Sequence, residues 1–279
     1  MILYLVAQAS EGNQLIAKNI ATGENRNNIA LLRVGEVSKS FGGLRALNRV
    51  SFDAWNGRIT SIIGPNGAGK TTLFDIISGY IRPDQGTVYV DELLLIGTPP
   101  YKVARVGLYR TFQEVRLFNY LSVLDNVLLS NAPLYGEDPI TALCRFTKKS
   151  SRWRQTVESC CKSLEIVGLQ SKIHSEAVTL SYGQKKLLML ACGIQSKARL
   201  MLLDEPTSGV QQSTVMQIMK VLRLLVDDNS KTILLIEHDM QVVQEVSDWV
   251  VLLNAGEKVL EGVPKVVFGD PKSRSVFLE

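Results

Sequence analysis

The sequence predicts an α/β fold with a parallel sheet and helices on its faces, and three short apolar runs predict it. They are Ile59-Thr-Ser-Ile-Ile63, Leu200-Met-Leu-Leu203 and Thr232-Ile-Leu-Leu-Ile236. Unbroken runs of this length read as strands buried on both faces. Between the second and third, Ser213 to Val226 carries Val215, Met216, Met219, Leu222 and Val226 at helical spacing. Strand–helix–strand units of this kind imply parallel neighbours. Each run also ends in polar or glycine-rich residues, which places Gly64, Asp204-Glu205 and Glu237-His238-Asp239 on one sheet edge. In open α/β sheets that edge takes the ligand.

The other elements are arranged around this unit. Leu32 to Val37 and Val50 to Trp55 alternate apolar and polar residues, the pattern of half-buried antiparallel strands, and Asn56-Gly57 marks a turn. From Glu114 to Leu180 no buried-strand run occurs, and Val123 to Leu129 and Thr156 to Val167 read as helices. The basic stretch from Lys148 to Arg154 reads as a solvated helix end, since no second basic stripe accompanies it. Residues 1–30 begin apolar, turn polar at Gln8 and lack a basic leader, so they read as a poorly ordered N-terminal tail and not as a signal peptide.

Composition narrows the class. Of 279 residues 46% are hydrophobic and 21% charged, which is ordinary for a globular chain. A net charge of +4 is too mild to identify nucleic acid or membrane as a partner. No apolar run approaches the ~18 residues that a membrane span needs. The cysteines Cys144, Cys160, Cys161 and Cys192 form no CxxC pair and have no histidine at ligand spacing, which argues against zinc. They read as reduced thiols; a redox switch is the alternative, with no other residue pointing to it.

The chemistry lies at the sheet edge. Gly64, Pro65, Asn66, Gly67, Ala68, Gly69, Lys70 and Thr71 fit the phosphate-loop pattern G-x-x-x-x-G-K-[ST], with Thr72 following. Glycines let successive N–H groups converge on an anion, and the helix that follows adds its positive end. Lys70 supplies a charge for the β- and γ-phosphates of ATP, and the Thr71 hydroxyl a ligand for Mg²⁺. Asp204, at its strand end, suits the other side of the metal. Glu205 suits the general base that orients or deprotonates the attacking water. His238 can donate to the γ-phosphate and that water. His174, in a polar stretch, receives no role.

Further short motifs identify the sequence as similar to the ATP-binding-cassette (ABC) ATPases. Leu180-Ser-Tyr-Gly-Gln184 resembles their signature, usually Leu-Ser-Gly-Gly-Gln, and ends 20 residues before Asp204 (204 − 184). Gln113, in Arg110-Thr-Phe-Gln113, resembles the Q-loop glutamine. Phe41 stands 23 residues before Gly64 (64 − 41), where the family places an aromatic against adenine. Asp204-Glu205 matches the Walker B pair and His238 the switch histidine. Two positions depart: Tyr182 replaces the first signature glycine, and Gln211 stands where an aspartate often follows Walker B.

The resemblance covers Leu31 to the C-terminus and implies a P-loop NTPase. Its RecA-like parallel core carries an antiparallel β subdomain and a helical subdomain inserted at about 114–182. It implies catalytic Glu205, His238 and Gln113, with Gln113 also joining Thr71 and Asp204 at the metal. It further implies a homo- or heterodimer in which Ser181, Gly183 and Gln184 of one copy close over ATP held by the other. The phrases Ser40 to Ala46, Arg110 to Phe118, Leu235 to Met240 and the Gly262 to Pro271 tail resemble the ATPases of branched-chain amino acid and amide importers. That implies a motor on the cytoplasmic face of the cell membrane, working with a separate permease and an extracytoplasmic substrate-binding protein, and not with nucleic acid. In such motors the segment from Glu114 to Asn131 receives the permease. The apolar cluster Leu117, Phe118, Tyr120 and Leu121 reads equally as subdomain core or as docking patch. The rival is a non-transport cassette acting on DNA or ribosomes. Only 68 residues (181 − 113) separate Gln113 from the signature, too few for the long coiled coil of the DNA-repair members.

Overall fold

A computed structural model describes residues 29–131, 151–228 and 231–278. Two sheets share the described residues. The first is antiparallel, in the order β2 (Leu44–Trp55), β1 (Ala30–Phe41), β4 (Gln85–Val90), β5 (Leu93–Leu94). The second runs β10 (Glu257–Gly262), β9 (Trp249–Asn254), β3 (Ile59–Ile63), β8 (Thr232–Ile236), β7 (Leu200–Asp204), β6 (Leu108–Arg110). All its pairs are parallel except β9–β10.

The three apolar runs are therefore the central strands, and β3, β7 and β8 are buried at every position. Strand periodicity divides them between two cores. Met201, Leu203, Ile233 and Leu235 face α3 (Val123–Ser130), α4 (Ser151–Ile166), α5 (Tyr182–Gln195) and α6 (Gln212–Asp227). Leu200, Leu202, Leu234 and Ile236 face the opposite way, toward α1 (Lys70–Ile77), Val103 of α2 (Pro100–Arg105) and the antiparallel sheet through Leu32, Val34, Leu47 and Phe52. Thus α1 lies packed among the apolar residues of both sheets. At ~25 cal/mol per Å² of apolar surface removed from water, these cores dominate the stability.

Several expectations shift. β1 begins at Ala30, which is buried and pairs with Trp55, so the fold starts inside the segment read as tail; residues 1–28 lie outside the described residues. Met216 was assigned to the apolar face of α6 but is 65% exposed. The buried stripe runs instead through Val215, Ile218, Val221, Leu222 and Leu225. Five strands lie where the sequence pattern predicts none, and of these β5 has only two residues. β4 and β10 are only partly buried, β6 has three residues, and β9 was passed over despite four buried apolar residues. Cys144 and Lys148 to Ser150 lie outside the described residues. Burial pushes the thiols of Cys160 and Cys192 up to about 12 and about 11, so both are protonated and unreactive near neutrality.

Candidate nucleotide-binding site

Backbone crowding shapes the phosphate loop. Gly64 has φ 148°, and a Cβ there would lie 2.1 Å from the Leu253 carbonyl oxygen. Gly69 has φ 95°, and its Cβ would meet the Ala46 carbonyl oxygen at 2.5 Å and the Leu47 side chain at 2.7 Å. Only glycine fits either place. The loop is thereby pressed between β9 and β2, and α1 starts at Lys70 with Gly69 as its N-cap. Lys70 folds back into the loop, where its Nζ donates to the carbonyls of Gly64 (2.7 Å) and Pro65 (2.8 Å). Burial lowers the pKa of this ammonium, and the nearby Glu205 and Asp204 oppose that shift. Asn66, Gly67 and Thr71 are exposed; Ala68 is buried and Thr72 half-buried.

The parallel register brings the strand ends beside the loop. Asp204 ends β7 next to Ile236, and Glu205 follows it with φ 48°, a left-handed conformation uncommon outside glycine. Oε1 of Glu205 lies 2.7 Å from Nε2 of His238, and Gln113 Nε2 donates to its Oε2 at 3.3 Å. Gln113, Glu205 and His238, far apart in sequence, thus form one cluster. Both of its donors end on the Glu205 carboxylate, which each can reach. Asp204 is 7% exposed, and no hydrogen bond reaches its carboxylate oxygens among the described residues. Burial, reinforced by Glu205 and opposed by Arg110, pushes its pKa up to about 6.

Residues outside the short motifs support this edge. Arg110 is ion-paired with Asp75 at 2.7 Å and donates to Ser78 Oγ at 2.6 Å, tying the segment that leads to Gln113 onto α1. Thr111 Oγ1 accepts from the Asp204 N–H at 3.0 Å. Glu237, 2% exposed, accepts from the Thr207 N–H (2.9 Å) and hydroxyl (2.7 Å). Lys186, 5% exposed, donates to the Glu205 carbonyl. Their type and position beside recognised motifs were visible, but their burial and contacts were not.

The predicted ligand groups do not all meet in one chain. Phe41 ends β1 at the tip of the β1–β2 hairpin and is 46% exposed, an open ring of the kind that can stack on a base. Ser181 caps α5: its Oγ accepts from the Gln184 N–H at 3.3 Å, while Gln184 Oε1 accepts from the Ser181 N–H at 3.0 Å. A Cβ on Gly183 would press on Thr214 of α6 at 3.1 Å. No hydrogen bond among the described residues joins Ser181, Gly183 or Gln184 to the phosphate loop. The Thr71 hydroxyl, the Gln113 amide oxygen and the Asp204 carboxylate are hard oxygen donors, and a buried carboxylate without a hydrogen bond favours a cation beside it. That donor chemistry fits Mg²⁺.

Residues 47–208 match the family model described as ABC transporter. The chain belongs to the ABC transporter family. It is 33% identical over 248 residues to the high-affinity branched-chain amino acid transport ATP-binding protein BraF of Pseudomonas aeruginosa, covering 89% of this cassette and 97% of that protein. To the corresponding protein LivG of Escherichia coli it is 32% identical over 241 residues, with 86% and 94% covered. Among solved structures, the ADP conformation of an ATP-binding cassette of an ABC transporter superposes with a TM-score of 0.77 at 30% identity, covering 90% and 99%. The cassette is thus a P-loop ATPase with the ABC fold, and it binds and hydrolyses ATP.

Proposed function

We propose that this cassette is the motor of an importer for branched-chain amino acids or related amides, working as a dimer on a separate membrane permease. The observation that carries the catalytic part is the cluster of Gln113, Glu205 and His238 beside Lys70. The phosphate loop holds the β- and γ-phosphates of ATP, Phe41 lies against its adenine, and Lys70 leaves its backbone acceptors for phosphate oxygens. Thr71, Asp204 and Gln113 hold Mg²⁺, which when bound withdraws charge from the phosphates. Glu205 takes a proton from water as the water oxygen bonds to the γ-phosphorus. The bond from that phosphorus to the β–γ bridging oxygen breaks, and ADP and phosphate leave. His238 and Gln113 fix the two carboxylate oxygens of Glu205 and so aim the base.

The signature residues are exposed or half-buried and capped on themselves, as suits a half-site for a second copy's nucleotide. The permease reading rests on another surface. Phe118 and Tyr120 are 63% and 84% exposed, whereas Leu117 packs toward the core. A groove of about 280 Å³ lined by Arg116, Leu117, Phe118 and Leu129 opens beside them. An apolar cytoplasmic segment of a permease fits it. The substrate class follows the two relatives named above, which favour import over the non-transport rival. No helix among the described residues is long and apolar enough to cross a membrane. On this reading the cassette attaches to the cytoplasmic face through that permease.

Glu205→Gln tests the reading. It is expected to cut ATP turnover ~10²-fold or more while leaving affinity for a fluorescent ATP analogue within ~3-fold, and to accumulate ATP-bound dimers in size-exclusion chromatography. Normal turnover removes Glu205 from its role, and a strictly monomeric ATP-bound variant removes the dimer.

A further inference from the structure

Glu205 carries a backbone conformation that its neighbours must hold in place. A left-handed φ at a residue other than glycine is strained and persists only where surrounding contacts over-determine it. Three contacts do so here. The Glu205 N–H donates to the Ile236 carbonyl at 2.9 Å, and its own carbonyl accepts from the Ser208 N–H at 3.2 Å and from the ammonium of Lys186. The first two donors and acceptors belong to the sheet edge and the turn beyond it. The third comes from α5, two positions past Gln184.

Lys186 is placed to connect regions. Its ammonium stands 5.4 Å from the centre of the Tyr182 ring, within cation–π range. That ring lies over the turn after Walker B, where a Cβ on Gly209 would come within 3.3 Å of it. Burial lowers the pKa of the Lys186 ammonium; of the charges that oppose the shift, Glu237 acts most strongly, ahead of Glu205 and Asp204. Glu237 in turn holds Thr207 and accepts from the His238 N–H at 3.2 Å. One buried cation thus sits on the signature helix, donates to the backbone of the general base and lies in the field of the carboxylate that positions the His238 backbone.

We propose that Lys186 is a positioning residue that couples the signature segment to the general base of its own chain. A second copy's nucleotide drawing on Ser181 and Gln184 shifts the first turn of α5, and Lys186 carries the shift to the Glu205 carbonyl. Each site then senses occupancy of the other through a side chain within one subunit. The inference rests on the head-to-tail dimer proposed above.

The test compares the full-length wild-type chain with Lys186→Met, with Lys186→Met/Glu237→Gln and with Lys186→Arg. The double variant is included because Lys186→Met removes a positive charge that acts on the buried Glu237. Affinity for a fluorescent ATP analogue is expected to stay within ~3-fold throughout, since the phosphate loop is untouched. Turnover of the double variant is expected to fall ~10-fold or more. The Hill coefficient for ATP should drop to about one from a wild-type value clearly above it, and Lys186→Arg should restore most of both. Turnover and cooperativity at wild-type levels overturn the proposal. A fall in turnover with unchanged cooperativity overturns the coupling, and loss of nucleotide binding in the double variant reduces Lys186 to a structural role. The Glu205→Gln chain, probed for ATP-dependent dimers in parallel, reports failure of the dimer separately from failure of Lys186.

Discussion

The phosphate loop and the signature segment both stand at a helix start, yet the fold treats them in opposite ways. The loop from Gly64 to Thr72 is packed on its backbone side by Leu253, Ala46 and Leu47, and its lysine is folded into it. The segment from Ser181 to Gln184 is capped by its own side chains and exposed at Ser181 and Tyr182. On the function proposed above, one is complete within the chain and the other is an open half of a site, so rigidity falls where the nucleotide is gripped and exposure where a partner arrives and leaves.

Substitutions at the two places should fail differently. Gly64→Ala is expected to have the largest effect, because its Cβ would sit 2.1 Å from the Leu253 carbonyl oxygen in backbone that cannot give way. Destabilisation of ~3 kcal/mol or more, with nucleotide affinity lost, is expected by chemical denaturation and ligand titration. A variant with wild-type affinity would mean that the loop is less confined than its neighbours imply. Ser181→Ala should cost only ~1 kcal/mol, the usual worth of an N-cap, and leave single-chain ATP affinity unchanged. Its turnover should nonetheless fall ~10-fold under conditions where wild-type dimers form, and equal turnover would break the contrast.

A third comparison concerns the far end of the signature helix, and its effect is confined to alkaline pH. Lys231 is 8% exposed, and its Nζ donates to the carbonyls of Ser196 (2.9 Å) and Ala198 (2.6 Å) where α5 passes into β7. Burial pulls its pKa down to about 8. The unfolded chain, with the ordinary value of 10.5, then binds more protons than the native chain between about pH 8 and 10.5. Stability should therefore rise with pH across that window, by up to ~3 kcal/mol, and the gain should be absent below pH 8. Comparing pH-dependent denaturation of wild type and Lys231→Met isolates this contribution. Parallel curves for the two proteins would assign the anchoring of α5 to packing alone.

What was legible before folding follows from local physics. Buried strands need unbroken apolar residues, so β3, β7 and β8 were visible, and a loop that must curl around an anion needs glycines at set intervals. β6, with only Leu108, Tyr109 and Arg110, carries too little pattern to read, yet it delivers Thr111 to the Asp204 N–H and leads on to Gln113. Leu117 and Phe118 were indistinguishable in sequence, and packing turns one inward and leaves the other 63% exposed.

The sequence by itself determined the class of the protein and the phosphate-loop pattern, and it singled out the side chains proposed as base and metal ligands, because each depends on residue type and short spacing. Only the tertiary structure decided that Gln113 and His238 close on the two oxygens of Glu205, and that Lys186 holds its carbonyl. Those contacts join residues from 19 to 92 positions apart. Parallel strand register and helix packing set such distances, and no local pattern encodes them.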